Sequence, residues 1–249
     1  MNKFYVLLYH EIIKKEDYNS NGDGGSEINV NQNYQDRLPE QLFTFREEFK
    51  KQMDYLNKRG YTTLSLQDIV NVYYGEKNIP EKSVLITFDD MYKSVLLYAY
   101  PLLKKYNFNA VGFVVSEWLF NNVKSYSSSE SVCLAKSELK KMSDVFEYAN
   151  HSAKLHTRQD GATALQTVDK KIFFEDTREC EKFIDYNDVY AYPFGVYSDK
   201  VIQWLNDLNY HLAFTSEIGG NDISTSPFEL KRNAVLLDKS LKEFKEIFI

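Results

Sequence analysis

The chain has 249 residues, 43% of them hydrophobic and including 19 Tyr and 17 Phe, which is enough apolar surface for one sizeable core and excludes a disordered polypeptide. Its formal net charge of −6, with no dense Lys/Arg cluster, argues against a nucleic-acid partner. Two cysteines, Cys133 and Cys180, fit no metal-ligand or disulfide spacing and read as unpaired thiols.

Phe4–Tyr9 is the first expected strand; its apolar run is too short for a signal peptide, and no later segment is long enough to span a bilayer. As written the chain is therefore expected to be cytoplasmic, or extracellular or at the cell surface if it was trimmed from a longer precursor. Lys14–Pro39, rich in Asn, Asp and Gly, reads as a surface loop. Phe45, Phe49, Met53 and Leu56 then recur at helical spacing, with Thr44 and Glu47 as a capping box and Gly60 as the stop. Further strands are expected at Val84–Phe88, Ala110–Val115, Phe146–Ala149, Val189–Tyr192, Leu212–Thr215 and Leu230–Val235. Helices are expected at Val95–Tyr106, where Pro101 would interrupt the winding, and at Lys170–Ile184, Ser198–Leu208 and Ser240–Phe248. Serine-rich Ser125–Ser131 reads as a second surface loop. Strands alternating with helices, with no internal repeat or composition break, predict a single α/β domain over residues 1–249: a distorted (β/α) barrel of about seven parallel strands.

Chemistry concentrates at a few points. Asp89 and Asp90 end the run Val84–Phe88, where adjacent carboxylates repel unless a cation or proton lies between them. Of the four histidines, at 10, 151, 156 and 211, two follow the strand Phe146–Ala149 five residues apart. Residues with that separation diverge by ~140° on a helix and face opposite sides of a strand, so only a turn lets them converge. With a carboxylate from a neighbouring strand they would form a two-His, one-carboxylate site for a divalent transition metal, zinc foremost, with cobalt, nickel or iron also compatible.

The ordered series Leu7-Leu8-Tyr9-His10, Phe49 to Leu66, Leu85-Ile86-Thr87-Phe88-Asp89-Asp90-Met91-Tyr92, His151-Ser152 with His156, Ala191-Tyr192-Pro193-Phe194-Gly195, Ala213-Phe214-Thr215 and Leu230-Lys231-Arg232 resembles the polysaccharide deacetylases, in particular their poly-N-acetylglucosamine branch. The resemblance implies removal of N-acetyl groups from an amino-sugar polymer, surface glycan or glycan precursor. It makes Asp90, His151 and His156 the metal ligands, Asp89 the general base and His10 the general acid, and the Phe194 N–H the donor to the oxyanion. Tyr192, Phe194 and Met91 would meet the substrate. Many relatives carry an Arg where Ala191 stands, and Arg232 is the expected replacement beside the base. Met91 stands where the family has Gly, which implies strain if that residue needs positive φ, or a reshaped cleft. No role is expected for His211. Two other functions are compatible with the same fold: an amidohydrolase acting on a small non-carbohydrate amide, and a glycan-binding homologue impaired in turnover.

Overall fold

The computed structural model describes residues 2–18, 25–75 and 77–249. Seven strands form the frame: β1 (Phe4–Tyr9), β2 (Ser83–Asp89), β3 (Ala110–Val114), β4 (Phe146–Asn150), β5 (Tyr186–Ala191), β6 (Leu212–Phe214) and β7 (Asn233–Ala234). β1 to β6 pair in parallel in the order β6-β5-β4-β3-β2-β1, and β7 runs parallel to β1 on its other side. The chain just before β7 closes the curl. Leu230 bridges Phe214 of β6, with its N–H on the Ala213 carbonyl at 3.0 Å, and three residues later Asn233 pairs with Leu7. The expected distorted, mostly parallel barrel is therefore observed, although the expected last strand, Leu230–Val235, is regular only at Asn233–Ala234.

Strand parity decides what each residue meets. Leu85, Val111, Phe113, Ala149, Val189, Ala191, Leu212 and Phe214 share the inner cluster, which α2 (Leu66–Tyr74) enters with Leu66, Ile69 and Val72. The Thr62–Thr63 bridge that precedes α2 pairs with the start of β2, so this helix covers the N-terminal end of the barrel. The alternate residues face outward. Val84, Ile86 and Phe88 pack with Phe49, Met53 and Leu56 of α1 (Arg46–Arg59), Leu103 of α3 (Tyr100–Tyr106) and Phe244 of α6 (Leu241–Glu246). Tyr190 and Tyr192 pack with Phe173 of α4 (Lys170–Glu181) and Leu205 of α5 (Asp199–Asp207).

Three local expectations change. Thr44 does not cap α1: its hydroxyl donates to the Val235 carbonyl at 2.8 Å, Glu47 turns to Arg46, and Phe45 occupies the cap position without a side-chain bond. Gly60 does end that helix, with φ +68°. Before Pro101 the chain winds as one π-helical turn, Val95–Ala99, a wider coil that accommodates the missing N–H and the ring. The two expected surface loops are largely irregular, 125–129 and 30–36 included, but short strands interrupt them. Gly25–Asn29, Arg37–Pro39 and Glu130–Val132 form a three-stranded sheet whose Ile28, Leu38 and Val132 pack toward Tyr92 and Trp118. The polar composition hid those few apolar residues; residues 19–24 of the first segment lie outside the described residues. This small sheet caps the C-terminal end of the barrel.

Glu11 is buried beside Ser94 and Ser131, and one of its carboxylate oxygens has no partner among the described residues. Burial pushes its carboxyl up to about 8. A carboxyl whose folded value is raised binds its proton more tightly in the native state. Its contribution to stability is therefore full below the unfolded value and is lost as pH rises through the folded one. The Glu11 contribution should fall by a few kcal/mol between about pH 5 and 9, an order-of-magnitude figure from the shift, read as the difference in urea-derived unfolding free energy between the parent and Glu11→Gln at each pH. A difference that does not change with pH would refute it.

Candidate metal centre

The site is built where the strands end. Asp89, the last residue of β2, continues the inward parity of Leu85 and Thr87 and is buried. Asp90 follows in a three-residue turn with φ +65°, closed by the Met91 N–H on the Asp89 carbonyl at 2.8 Å. This is the strained hand of γ-turn, and Met91 also has positive φ, +56°. The surroundings hold it in place. Asp90 N–H bonds the Phe113 carbonyl at 3.1 Å, Leu134 N–H bonds the Met91 carbonyl at 3.0 Å, and the Cys133 thiol reaches the Asp90 carbonyl at 3.4 Å.

The turn gives the two acids different principal partners, while His151 Nε2 lies near both, 3.6 Å from Asp89 Oδ2 and 3.8 Å from Asp90 Oδ1. Arg232 grips Asp89 with two parallel bonds, Nη1 to Oδ1 at 2.6 Å and Nη2 to Oδ2 at 2.9 Å, while its Nε donates to the Thr215 carbonyl at 2.7 Å. Burial raises the Asp89 carboxyl, but Arg232, with His151 and His10, outweighs it and holds it at about 2. Asp90 accepts the Tyr92 hydroxyl at 3.0 Å on Oδ2 and faces both imidazoles with Oδ1: His156 Nε2 at 3.5 Å and His151 Nε2 at 3.8 Å. Burial and the Asp89 charge push Asp90 upward. Asp90 Oδ1 has no hydrogen-bond partner among the described residues.

His151 follows β4, and its Nδ1 lies 2.8 Å from the Ala191 carbonyl. A carbonyl only accepts, so Nδ1 carries the proton and Nε2 presents its lone pair to the acids. The intervening loop turns at Ser152, with φ +76°, held by the Asn150 side chain on Ser152 N–H at 2.8 Å. Asp176 of α4 accepts the Ala153 and Lys154 N–H groups at 2.8 and 2.6 Å, which folds the loop back. His156 thereby faces His151, with ring centroids 4.7 Å apart. Burial lowers both imidazoles to about 4, so both are neutral and able to ligate at neutral pH. One ligand atom from each of Asp90, His151 and His156 lies within 4.8 Å of the others. Three converging buried donors, one of them an unpartnered carboxylate oxygen, fit a divalent cation.

The site opens into a cavity of about 330 Å³ whose lining includes His10, Asp89, Asp90, Trp118, His151, His156, Phe194 and Arg232. His10 is half-buried at the end of β1, and burial lowers its imidazole. Phe194 takes a left-handed conformation, φ 59°, and its ring lies 4.3 Å from that of His156. Two residues expected to meet the substrate, Tyr192 and Met91, are not part of the lining of this cavity. Tyr192 continues the outward parity of Tyr190, is fully buried, stacks on Tyr197 and donates its hydroxyl to the Phe228 carbonyl at 3.0 Å. Met91 is also fully buried; its side chain leaves the cavity and packs against Gly112 in the outer core, so it does not reshape the cleft. Tyr34, Asp36 and Arg158, which line the same cavity, were not singled out in the sequence, because the first two lie in the segment read as a loop. His211 pairs with Asp188 at 2.6 Å, away from this cavity.

A parallel barrel with a buried Asp-His-His cluster at its C-terminal end defines a metal-dependent hydrolase. The chain belongs to the polysaccharide deacetylase family, whose model matches residues 76–213. It is 27% identical over 226 residues to the poly-β-1,6-N-acetyl-D-glucosamine N-deacetylase of Staphylococcus epidermidis, covering 86% of this chain and 72% of that protein. With the Staphylococcus aureus protein of the same name it shares 27% over 179 residues, 68% of this chain and 60% of the relative. Among solved structures it superposes on the Streptococcus pyogenes deacetylase PplD with a TM-score of 0.75 at 21% identity, covering 99% and 98% of the two chains. IcaB from Ammonifex degensii gives 0.74 at 23%, covering 100% of this chain and 96% of that one. Among the described residues no helix is long and apolar enough to cross a membrane.

At position 91 a glycine would relax the left-handed backbone but leave empty the space that the Met91 side chain fills. Met91→Gly should relieve about 1–2 kcal/mol of left-handed strain but forfeit about 2–5 kcal/mol of buried packing. The variant should therefore unfold at lower urea than the parent.

Proposed function

We propose that the chain is a metal-dependent N-deacetylase acting on a polymer of N-acetylglucosamine, with poly-β-1,6-N-acetylglucosamine the first candidate. The observation that carries this reading is the division of labour between Asp89 and Asp90, one locked to Arg232 and the other turned to two neutral imidazoles. The names of the staphylococcal relatives support the substrate, and the cavity has room for one N-acetylated sugar residue.

Asp90, His151 and His156 would hold the metal, and the donor set of one carboxylate and two imidazoles favours zinc, with cobalt, nickel or iron as alternatives. When bound, such an ion supplies Lewis acidity toward the acetamide carbonyl and lowers the pKa of the attacking water. Asp89 accepts the proton of that water. Its pairing with Arg232 keeps it ionised at neutral pH and fixes its orientation, so it is available there as a proton acceptor. Arg232 is a positioning residue for this base. The Phe194 N–H donates to the oxygen that becomes negative as the carbonyl carbon turns tetrahedral. His10, across the cavity, donates a proton to the leaving amine nitrogen from its charged form, which burial confines mainly to the acid side of neutrality. The small-amide and binding-only alternatives are not favoured: the relatives are named as polymer deacetylases, and all of these groups converge on one cavity.

Purified protein should bind close to one equivalent of transition metal, and Asp90→Ala should lose it, read by elemental analysis. Acetate release from N-acetylglucosamine oligomers should stop on chelation and return on adding metal. Release that continues undiminished without metal would refute the mechanism. Asp89→Asn should retain metal while acetate release falls about 10²–10⁴-fold, the usual contribution of a positioned base. His10→Ala should remove the basic limb of the pH–rate profile; a profile unchanged at high pH would assign the acid elsewhere.

A further inference from the structure

His156 is enclosed by a closed circuit of side chains that the deacetylase mechanism does not use. Trp118 meets one side of its ring edge-on at 4.7 Å, and Phe194 covers another at 4.3 Å. Each of these aromatics is backed by a second residue: Tyr34 stacks on Trp118 at 5.6 Å with an interplanar angle of 22°, and the Arg158 guanidinium lies over Phe194 at 5.5 Å. Both backing residues end on one carboxylate. Asp36 accepts the Tyr34 hydroxyl at 2.6 Å and two Arg158 bonds, from Nε at 2.7 Å and Nη2 at 3.0 Å. The circuit joins the connection between the first two strands of the capping sheet, which carries Tyr34 and Asp36, to the segment that carries His156 and Arg158, and all six residues line the cavity.

We propose that Asp36 is a positioning and specificity-determining residue. It clasps the cap onto the barrel, fixes the His156 ring through two aromatic arms, and thereby shapes the wall against which the sugar ring of an N-acetylated glycan is seated. A half-exposed ion pair alone holds little. Here the same carboxylate also takes a short Tyr hydroxyl bond, and the far ends of both arms are stacked on the two aromatics that flank one imidazole. His156 itself lacks a partner on Nδ1 among the described residues, so no hydrogen bond of the usual kind orients this ring. Its orientation depends on packing, and the packing depends on Asp36.

The inference rests on the deacetylase reading only for the identity of the substrate, so the test has arms with and without substrate. The chain has two tryptophans, and in a Trp204→Phe background the emission comes from Trp118 alone. Asp36→Ala, Arg158→Ala and the double variant are compared in that background by Trp118 emission, by zinc affinity in a chelator competition, and by kcat and KM for acetate release from N-acetylglucosamine oligomers. Asp36→Ala should red-shift the emission, weaken zinc about tenfold or more, as loss of a ligand-orienting partner does, and raise KM more than it lowers kcat. The double variant should be no worse than Asp36→Ala, because both changes break the same circuit. Emission, zinc affinity and KM all within twofold of the parent, or losses that simply add in the double variant, would overturn the proposal. Should Asp36→Ala fail to fold, Asp36→Asn keeps an acceptor for Tyr34 and removes the ion pair, and the same criteria apply. If the parent binds zinc yet releases no acetate, the deacetylase reading falls, while the clasp is still decided by emission and affinity.

Discussion

Two carboxylates joined by one peptide bond must not share an environment, and the site depends on keeping them apart. In an extended strand Asp90 would follow Phe88 and Asp89 with ordinary alternation and face the outer layer. The γ-turn breaks that alternation and swings it back over the barrel mouth, at the cost of two consecutive non-glycine residues with positive φ. The expense is met by hydrogen bonds from β3 and from Cys133–Leu134 and by the burial of Met91. One acid then lies against a guanidinium and stays ionised, while the other lies against two imidazoles with a free oxygen. Sequence neighbours thus come to differ in their principal partners, with His151 placed between them.

The imidazoles are prepared by different means. His151 is oriented by a main-chain carbonyl of the adjacent strand, a contact indifferent to the side chain at Ala191. His156 stands at the end of a loop whose backbone is gathered by the Asp176 carboxylate and whose ring is packed between aromatics. The base is served by a third device, an arginine from the segment that closes the barrel. Charge is supplied from one side of the site and ring orientation from the others.

Much of this was legible in the residues. The apolar runs gave the strands because buried parallel strands read as continuous hydrophobic stretches, and the five-residue interval between His151 and His156 could converge only through a loop. The paired acids pointed to a cation because repulsion is local and needs no tertiary context. What remained hidden depended on tertiary context. Tyr192 sits beside motif residues, yet strand parity turns it outward. Met91 raised a choice between strain and a narrowed cleft, and only the backbone shows that it is strained and does not touch the cleft. Thr44 has the sequence of a cap, but its hydroxyl is taken by Val235, nearly two hundred positions away in the chain. The cap sheet was masked by Asn and Gly, and with it went Tyr34 and Asp36.

The closing segment of the barrel carries a temporal implication. Asp89, Asp90, His151 and His156 all leave the ribosome well before Arg232, which arrives on the last stretch to enter the sheet. Until that stretch docks between β6 and β1, the first carboxylate of the pair has no counter-ion and lies at an unsealed edge. Sealing the barrel and giving the base its counter-ion are thus one event, so a chain that lacks the closing contact lacks the anchored base as well.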